Sequence, residues 1–248
     1  MSPMDPSADL CSATNADDSM DIPYTSLIGS LNYCAIATRP NISYATNKCM
    51  QFTLKPTLVH WEAMKHVVRY LLHMKEHGIL YRQDINGVKG YAHNLASFTD
   101  TDFAGDLNDW KSTTGWVFTF NGSPISWASK KQKLVTQPSM ESKLVTGSIA
   151  STEGIWLVRL RKDFRHDFVP IPLFTDNQSF ITYSNDNINN SQMKHIDVHY
   201  HYTHDQISAG NIMLHYIPML DNLADILTKP LSLCKHMNLL ESLRVCRA

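Results

Sequence analysis

At 248 residues the chain exceeds one ordinary domain without reaching two, and its 43% apolar and 18% charged residues are those of a globular protein able to bury a core. A formal net charge of −1 excludes a global field that would hold a polyanion, so any nucleic-acid contact must be local. Scattered cysteines without a Cys-x-x-Cys pair, an acidic and polar start, and no apolar run of about 18 residues predict an intracellular protein, cytoplasmic or nuclear, with no zinc site, disulfide frame, leader or membrane span.

Residues 1–21, MSPMDPSADLCSATNADDSMD, offer little to bury and predict a flexible tail, with order beginning near Pro23. Over 24–52 two helical patterns are separated at Arg39-Pro40, because the proline ring disfavours helix in the residue before it. A third helix follows: Thr57 can cap it, Trp61, Met64, Val68 and Leu71 recur on one face, and Gly78 can close it. Asn86-Gly87 marks a linker and places a boundary at 87/88. Beyond it, short strand patterns run over 95–101, 115–120 and 123–128, the last two joined at Asn121-Gly122, a strong hairpin signal. A long helix over 139–161, a strand over 172–175, a helix from Asp176, a His-rich helical segment to about Ser208, a strand over 212–217 and a helix from Asp221 follow. The order β-β-β-α-β-α-α-β-α implies an α/β protein with a mixed five-stranded sheet flanked by helices. The expected division is a tail (1–21), a helical unit (22–87), an α/β domain (88–231) and a C-terminal helical tail (232–248).

Asp100 ends the first strand of that domain and Asp176 the fourth, and carboxylates at adjacent strand ends converge in the crevice where α/β sheets bind ligands. Asp225, in the terminal helix, can close over the same edge. Hard oxygen ligands held this way suit Mg²⁺, and two such ions about 4 Å apart can stabilise the attacking water and the leaving oxygen of a phosphodiester. Taken singly, each Asp reads as a turn residue or cap; together, in this order of elements, they read as a metal site. Lys111, Lys130, Lys131 and Lys133 with Trp127 form a basic and aromatic neighbourhood suited to a phosphate backbone or, equally, to a solvated hairpin face. His195, His199, His201 and His204 are not read as a metal cluster.

The strings YTSLIGSLNYCAIATRPNISYA, HWEAMKHVVRYLLHMKEHGILY, FTDTDFAGDLNDWKSTTGWVFTFNGSPISWASKKQ, LFTDNQSFI, KHIDVHYHY and NLADILTKPL resemble the C-terminal part of a copia-type retrotransposon polyprotein, the end of its reverse transcriptase followed by its RNase H domain. The resemblance implies an RNase H-like fold behind a helical thumb or connection remnant. It also implies an endonuclease dependent on Mg²⁺, with Mn²⁺ as the alternative ion and no small-molecule cofactor, that cuts the RNA strand of RNA–DNA hybrids, with Asp100, Asp176 and Asp225 matching three catalytic acids. The remainder of a reverse transcriptase is an implied partner. Polymerase activity is not expected, since the Tyr-x-Asp-Asp turn of the family is absent. The helices of 22–87, deprived of the palm, are expected to pack as a small separate unit with some apolar surface left open.

One position departs from the family. In SMESKLVTGS the pattern has a Glu where this chain has Lys143; Glu141, about 200° away around a helix, cannot take over without a shift of the helix start. Lys143 shares a face with Gly147, Ala150 and Gly154, a small-residue stripe suited to close packing, which aims its side chain toward the site. A divalent and a univalent charge at roughly 4 Å and an effective dielectric of about 20 interact by roughly 8 kcal/mol, so reversing the sign at this position disfavours the second metal. Impaired two-metal cleavage, a catalytically dead nucleic-acid-binding module and a structural remnant of a transposon all remain open from the sequence.

Overall fold

The structure, a computed structural model, describes residues 1–8, 10–11, 22–82, 95–106, 108–133, 139–164, 170–185 and 197–247. The expected boundary at 87/88 and His195 lie outside these residues. Helices α1 (Tyr24–Ala37) and α2 (Ser43–Met50) are separated by a 3₁₀ turn, Pro40–Ile42, with the proline at its start, where its missing N–H costs nothing. Helix α3 (Leu58–His73) begins at a capping box in which the Thr57 N–H donates to His60 Nδ1 at 3.0 Å. Its buried stripe is His60, Met64, Val67 and Tyr70, rotated from the expected Trp61, Met64, Val68 and Leu71, which are only partly buried apart from Met64. The rotation follows from polar handles: His60 stacks on Phe52 at 3.9 Å, and Tyr70 accepts from Asn41 Nδ2 at 2.6 Å. Gly78 does not close this helix; it lies in a short strand β1 (His77–Ile79).

The sheet is built as the patterns predict. Strands β2 (Leu95–Asp102), β3 (Thr113–Phe120) and β4 (Ser123–Lys131) form an antiparallel meander, with Asn121 (φ 52°) and Gly122 (φ 79°) both left-handed at the tight turn. Helix α4 (Ser139–Asp163) leads to β5 (Ile171–Thr175), then come α5 (Gln178–Asn185), α6 (Asp197–Ser208) and β6 (Ile212–Tyr216). The strand order β4-β3-β2-β5-β6 has β2–β5 and β5–β6 parallel, a mixed five-stranded sheet. The expected helix from Asp221 is a five-residue 3₁₀ turn, Leu223–Leu227, wholly buried; Pro230 lacks an N–H and biases Lys229 away from helix, which limits it.

Alternation along the strands sends side chains to two different cores. Leu95, Phe118, Trp116, Leu173 and Ile171 meet Ala150, Ile155 and Leu157 beneath α4. Ala96, Phe98, Val117 and Phe174 face the other way, into one continuous cluster with the 3₁₀ turn and with Tyr24, Ile28, Met64, Val67 and Tyr70 of the N-terminal helices. The helical unit is therefore not separate: the sheet's second face supplies the partner that its stripe requires. Helix α7 (Leu233–Ser242) and β7 (Val245–Arg247) complete that core, β7 pairing antiparallel with β1, so the C-terminal segment is more than a helical tail. Nor is the first segment free throughout, since Met4 and Leu10 are buried against α3 and His66 Nε2 lies 2.9 Å from the Ser2 carbonyl.

Candidate active site

The register places Thr99 beside Thr175, so Asp100 and Asp176 leave neighbouring parallel strands side by side. Gly115 stands opposite Asp100 on β3, and a Cβ there would meet Thr228 Cγ2 at 2.5 Å and Leu227 Cβ at 2.9 Å. Only a glycine lets the 3₁₀ turn lie this close to the sheet. Asn222 fixes the turn from its other end, donating to the Thr99 carbonyl at 2.9 Å and accepting from Ala224 N at 3.1 Å. Asp225, fully buried, is thereby delivered to Asp100, and Thr228 Oγ1 donates to Asp100 Oδ2 at 2.6 Å.

Helix α4 is held on the other face by a buried polar chain: Thr101 Oγ1 and Thr146 Oγ1 lie 2.6 Å apart, Thr114 Oγ1 and Thr146 Oγ1 2.9 Å apart, and Gln132 Nε2 donates to Thr114 Oγ1 and to the Ser142 carbonyl. Gly147 admits Phe180, whose ring a Cβ would strike at 2.4 Å, and Gly154 lies over Ile171 and Phe118. From this anchored start Lys143 reaches past the strand ends, its Nζ 2.7 Å from Asp176 Oδ1.

Lysines meet every one of these acids. Lys229 Nζ is 3.3 Å from Asp100 Oδ2 and 2.9 Å from Asp225 Oδ1, and Lys235 pairs with Asp225 Oδ2. Burial alone would raise Asp100, but the Lys229 charge, the hydrogen bonds from Thr228 and Asp225, and the Lys143 charge hold it below the usual carboxylate range. Asp225 is pushed up by burial and by Asp100, with Lys235 and Lys229 opposing. Asp102, on the same face as Asp100 two residues along the strand, is raised to about 6 by burial and by Asp100. Lys229 is held protonated, the pull of Asp100 and Asp225 overriding its burial.

Asp100 and Asp225 thus share Lys229, while Asp176, at the end of the neighbouring strand, has its own lysine in Lys143. Among the described residues no group of three His, Cys, Asp or Glu is disposed to hold a metal ion. Asp102, Asn222, Thr228, Lys229 and Lys235 belong to the site but are not singled out by the sequence reading. Two signals were there to be read: Asp100 and Asp102 alternate in step on one strand face, and Lys229 follows Asp225 at i+4.

On the hairpin, Lys130 is exposed. Lys131 pairs with Asp106 and Asp109, each at 2.8 Å, and Lys111 pairs with Asp109 at 3.1 Å. Trp127 is half-buried, its indole N–H donating to the Ala35 carbonyl of α1 at 2.8 Å. Of Lys111, Trp127, Lys130 and Lys131, Lys130 alone is exposed, as is Lys133 just beyond the strand.

A mixed sheet of this order, with acids at its carboxyl edge and a helix across each face, defines an RNase H-like α/β protein. Over 85% of the chain it superposes on 26% of the foamy viral protease-reverse transcriptase solved in complex with an RNA/DNA hybrid, at a TM-score of 0.50 and 16% identity. No family model matches. In sequence it is 35% identical over 243 residues, 98% of its length, to the retrovirus-related Pol polyprotein from transposon RE1 of Arabidopsis thaliana, and 34% identical over 221 residues, 87% of its length, to that from transposon TNT 1-94 of Nicotiana tabacum. It spans 16% of the length of each of these relatives. The chain belongs to the copia-type retrotransposon Pol polyproteins and has an RNase H-like α/β fold.

Proposed function

We propose that the chain is an RNase H-type endonuclease domain by descent, built to cut the RNA strand of RNA–DNA hybrids, in which Lys143 disables two-metal cleavage. The observation that carries this reading is the 2.7 Å contact between Lys143 Nζ and Asp176 Oδ1 at the end of the strand beside Asp100. Asp100, Asp176 and Asp225 are the residues that would hold Mg²⁺ or Mn²⁺. As arranged they do not fit a pair of ions, because ammonium groups lie against the oxygens that the ions require. Glu141 offers no substitute, since it stands two residues before Lys143 on the same helix and so points elsewhere.

Hybrid binding is the activity that survives this change. Lys130, with Lys111, Lys131 and Trp127 around it, is the proposed contact, and its small local charge makes binding weak and salt-sensitive. The remainder of a reverse transcriptase is the proposed protein partner; Tyr33, Ile36 and Leu72 leave apolar surface on α1 and α3 to meet it. Cleavage of a labelled RNA–DNA hybrid in Mg²⁺ and in Mn²⁺ tests the reading. The protein should cleave at background rate and Lys143→Glu should gain hybrid-specific cleavage that a further Asp100→Asn abolishes. Efficient cleavage by the unmodified protein, lost on Asp100→Asn, overturns it.

A further inference from the structure

Lys143 is one cation of the centre, and the other side of the centre has its own. We propose that Lys229 is a resident counter-ion for the buried pair Asp100 and Asp225, occupying the space between them that a divalent ion would need, so that the fold is stable without metal and becomes metal-responsive when the ammonium is removed. This deepens the reading of the acid centre as nuclease-derived and rests on it.

Its geometry is set by rigid neighbours. Asp225 and Thr228 are wholly buried in and beside the 3₁₀ turn, Gly115 lets that turn touch the sheet, and Pro230 follows at once, so Lys229 leaves the backbone at a fixed place. Its Nζ reaches Asp225 Oδ1 at 2.9 Å and Asp100 Oδ2 at 3.3 Å, while the side chains of those acids are 0% and 2% exposed. Two buried carboxylates reached by one ammonium repel once both are ionised; Lys229 offsets that repulsion from between them, while Lys235 meets the other oxygen of Asp225. The arrangement is incomplete. Asp225 Oδ1 is buried without a well-directed hydrogen bond: the ammonium beside it supplies charge but not alignment, as a point cation between two carboxylates does. Oxygen ligands converging on a compact cation at this depth are those of a hard divalent ion, which carries twice the charge and would outbid the lysine where the lysine is absent.

The test is thermal unfolding of the full chain in EDTA and in about 10 mM MgCl₂ or MnCl₂, comparing the protein with Lys229→Met and with Lys229→Met/Asp225→Asn. The unmodified protein should move by less than about 1 °C between the two buffers, and Lys229→Met should melt about 5–10 °C lower in EDTA and recover at least about half of that loss in the divalent ion. The double variant should melt well above Lys229→Met in EDTA and ignore the ion, because the repulsion and a ligand leave together. Should Lys229→Met fail to fold, a folded double variant still supports the counter-ion, and two unfolded variants refute it. A Lys229→Met protein as stable as the parent, or a parent that gains from Mg²⁺ as much as the variant does, overturns the proposal. Lys143 is unchanged throughout, so the melting shifts are read without reference to cleavage; in Lys143→Glu the added acid must let the ion displace the Lys229 ammonium, and its cleavage is a separate readout of the nuclease reading.

Discussion

Two clusters of aspartate and lysine lie within a few residues of each other along the chain and behave in opposite ways. In the loop after β2, Asp106 is a single buried carboxylate between two ammonium groups, Lys48 and Lys131, each at 2.8 Å; burial alone would raise it, but those hydrogen bonds hold it far below the usual range. The cluster ties α2 to β4 and leaves no acid unmatched. At the strand ends, Asp100, Asp102, Asp176 and Asp225 face Lys143, Lys229 and Lys235, and there Asp225 and Asp102 are pushed up instead of down. Matched charge makes a joint, whereas at the strand ends four carboxylates face three lysines and two of the acids are held above their usual range.

The largest effect should come from widening this contrast. Lys143→Glu adds one acid and removes one base, and hybrid cleavage should rise at least about 100-fold above background, with Mg²⁺ affinity by calorimetry rising in parallel. Next is the joint: Asp106→Asn strands Lys48 and Lys131 beside a neutral group and should lower stability by about 2 kcal/mol in urea unfolding at pH 7, discounted because both lysines reach some water. A smaller change of opposite sign is expected four residues earlier. Asp102 titrates near 6 in the fold and about 3.9 unfolded, so the fold holds its proton more tightly and its contribution turns unfavourable as pH rises from about 4 to 6. In EDTA, Asp102→Asn should then stabilise by about 1 kcal/mol at pH 7 and by nothing near pH 4. The stability that Asp106 brings runs the other way, present above the unfolded value and lost as pH falls through its lowered folded one. Smallest of all, Lys130→Ala should flatten the salt slope of hybrid binding by about one unit; an unchanged slope removes the hairpin from the contact surface.

Strands and hairpin were legible because their signals are local: apolar alternation over β2 and β3, and Asn121-Gly122 between two β runs. Asp176 was legible for the same reason, as the acid ending a strand pattern, whereas Asp100 lies two residues inside β2, which runs on to Asp102. The stripe of α3 was misread by one position because His60 and Tyr70 are buried through hydrogen bonds and stacking, which an apolar pattern cannot register. Burial of Met4 and Leu10, and the pairing of β7 with β1, join segments with no periodic link in the sequence. Lys229 and Lys235 escaped notice because a lysine reads as solvent-facing until the depth of its carboxylate partner is known.

Pairing of β1 with β7 also has a consequence in time. Tyr70 lies 3.0 Å from His236 Nε2, 166 residues along the chain, and Leu239, Leu240, Leu243 and Val245 close the same core as α1 and α3. On a ribosome adding about 5–20 residues per second, the early helices wait roughly 10–30 s for the segment that covers them. Through that interval Met64, Val67 and Tyr70 stand open to water or to a chaperone, so folding of the first unit is gated by translation of the last.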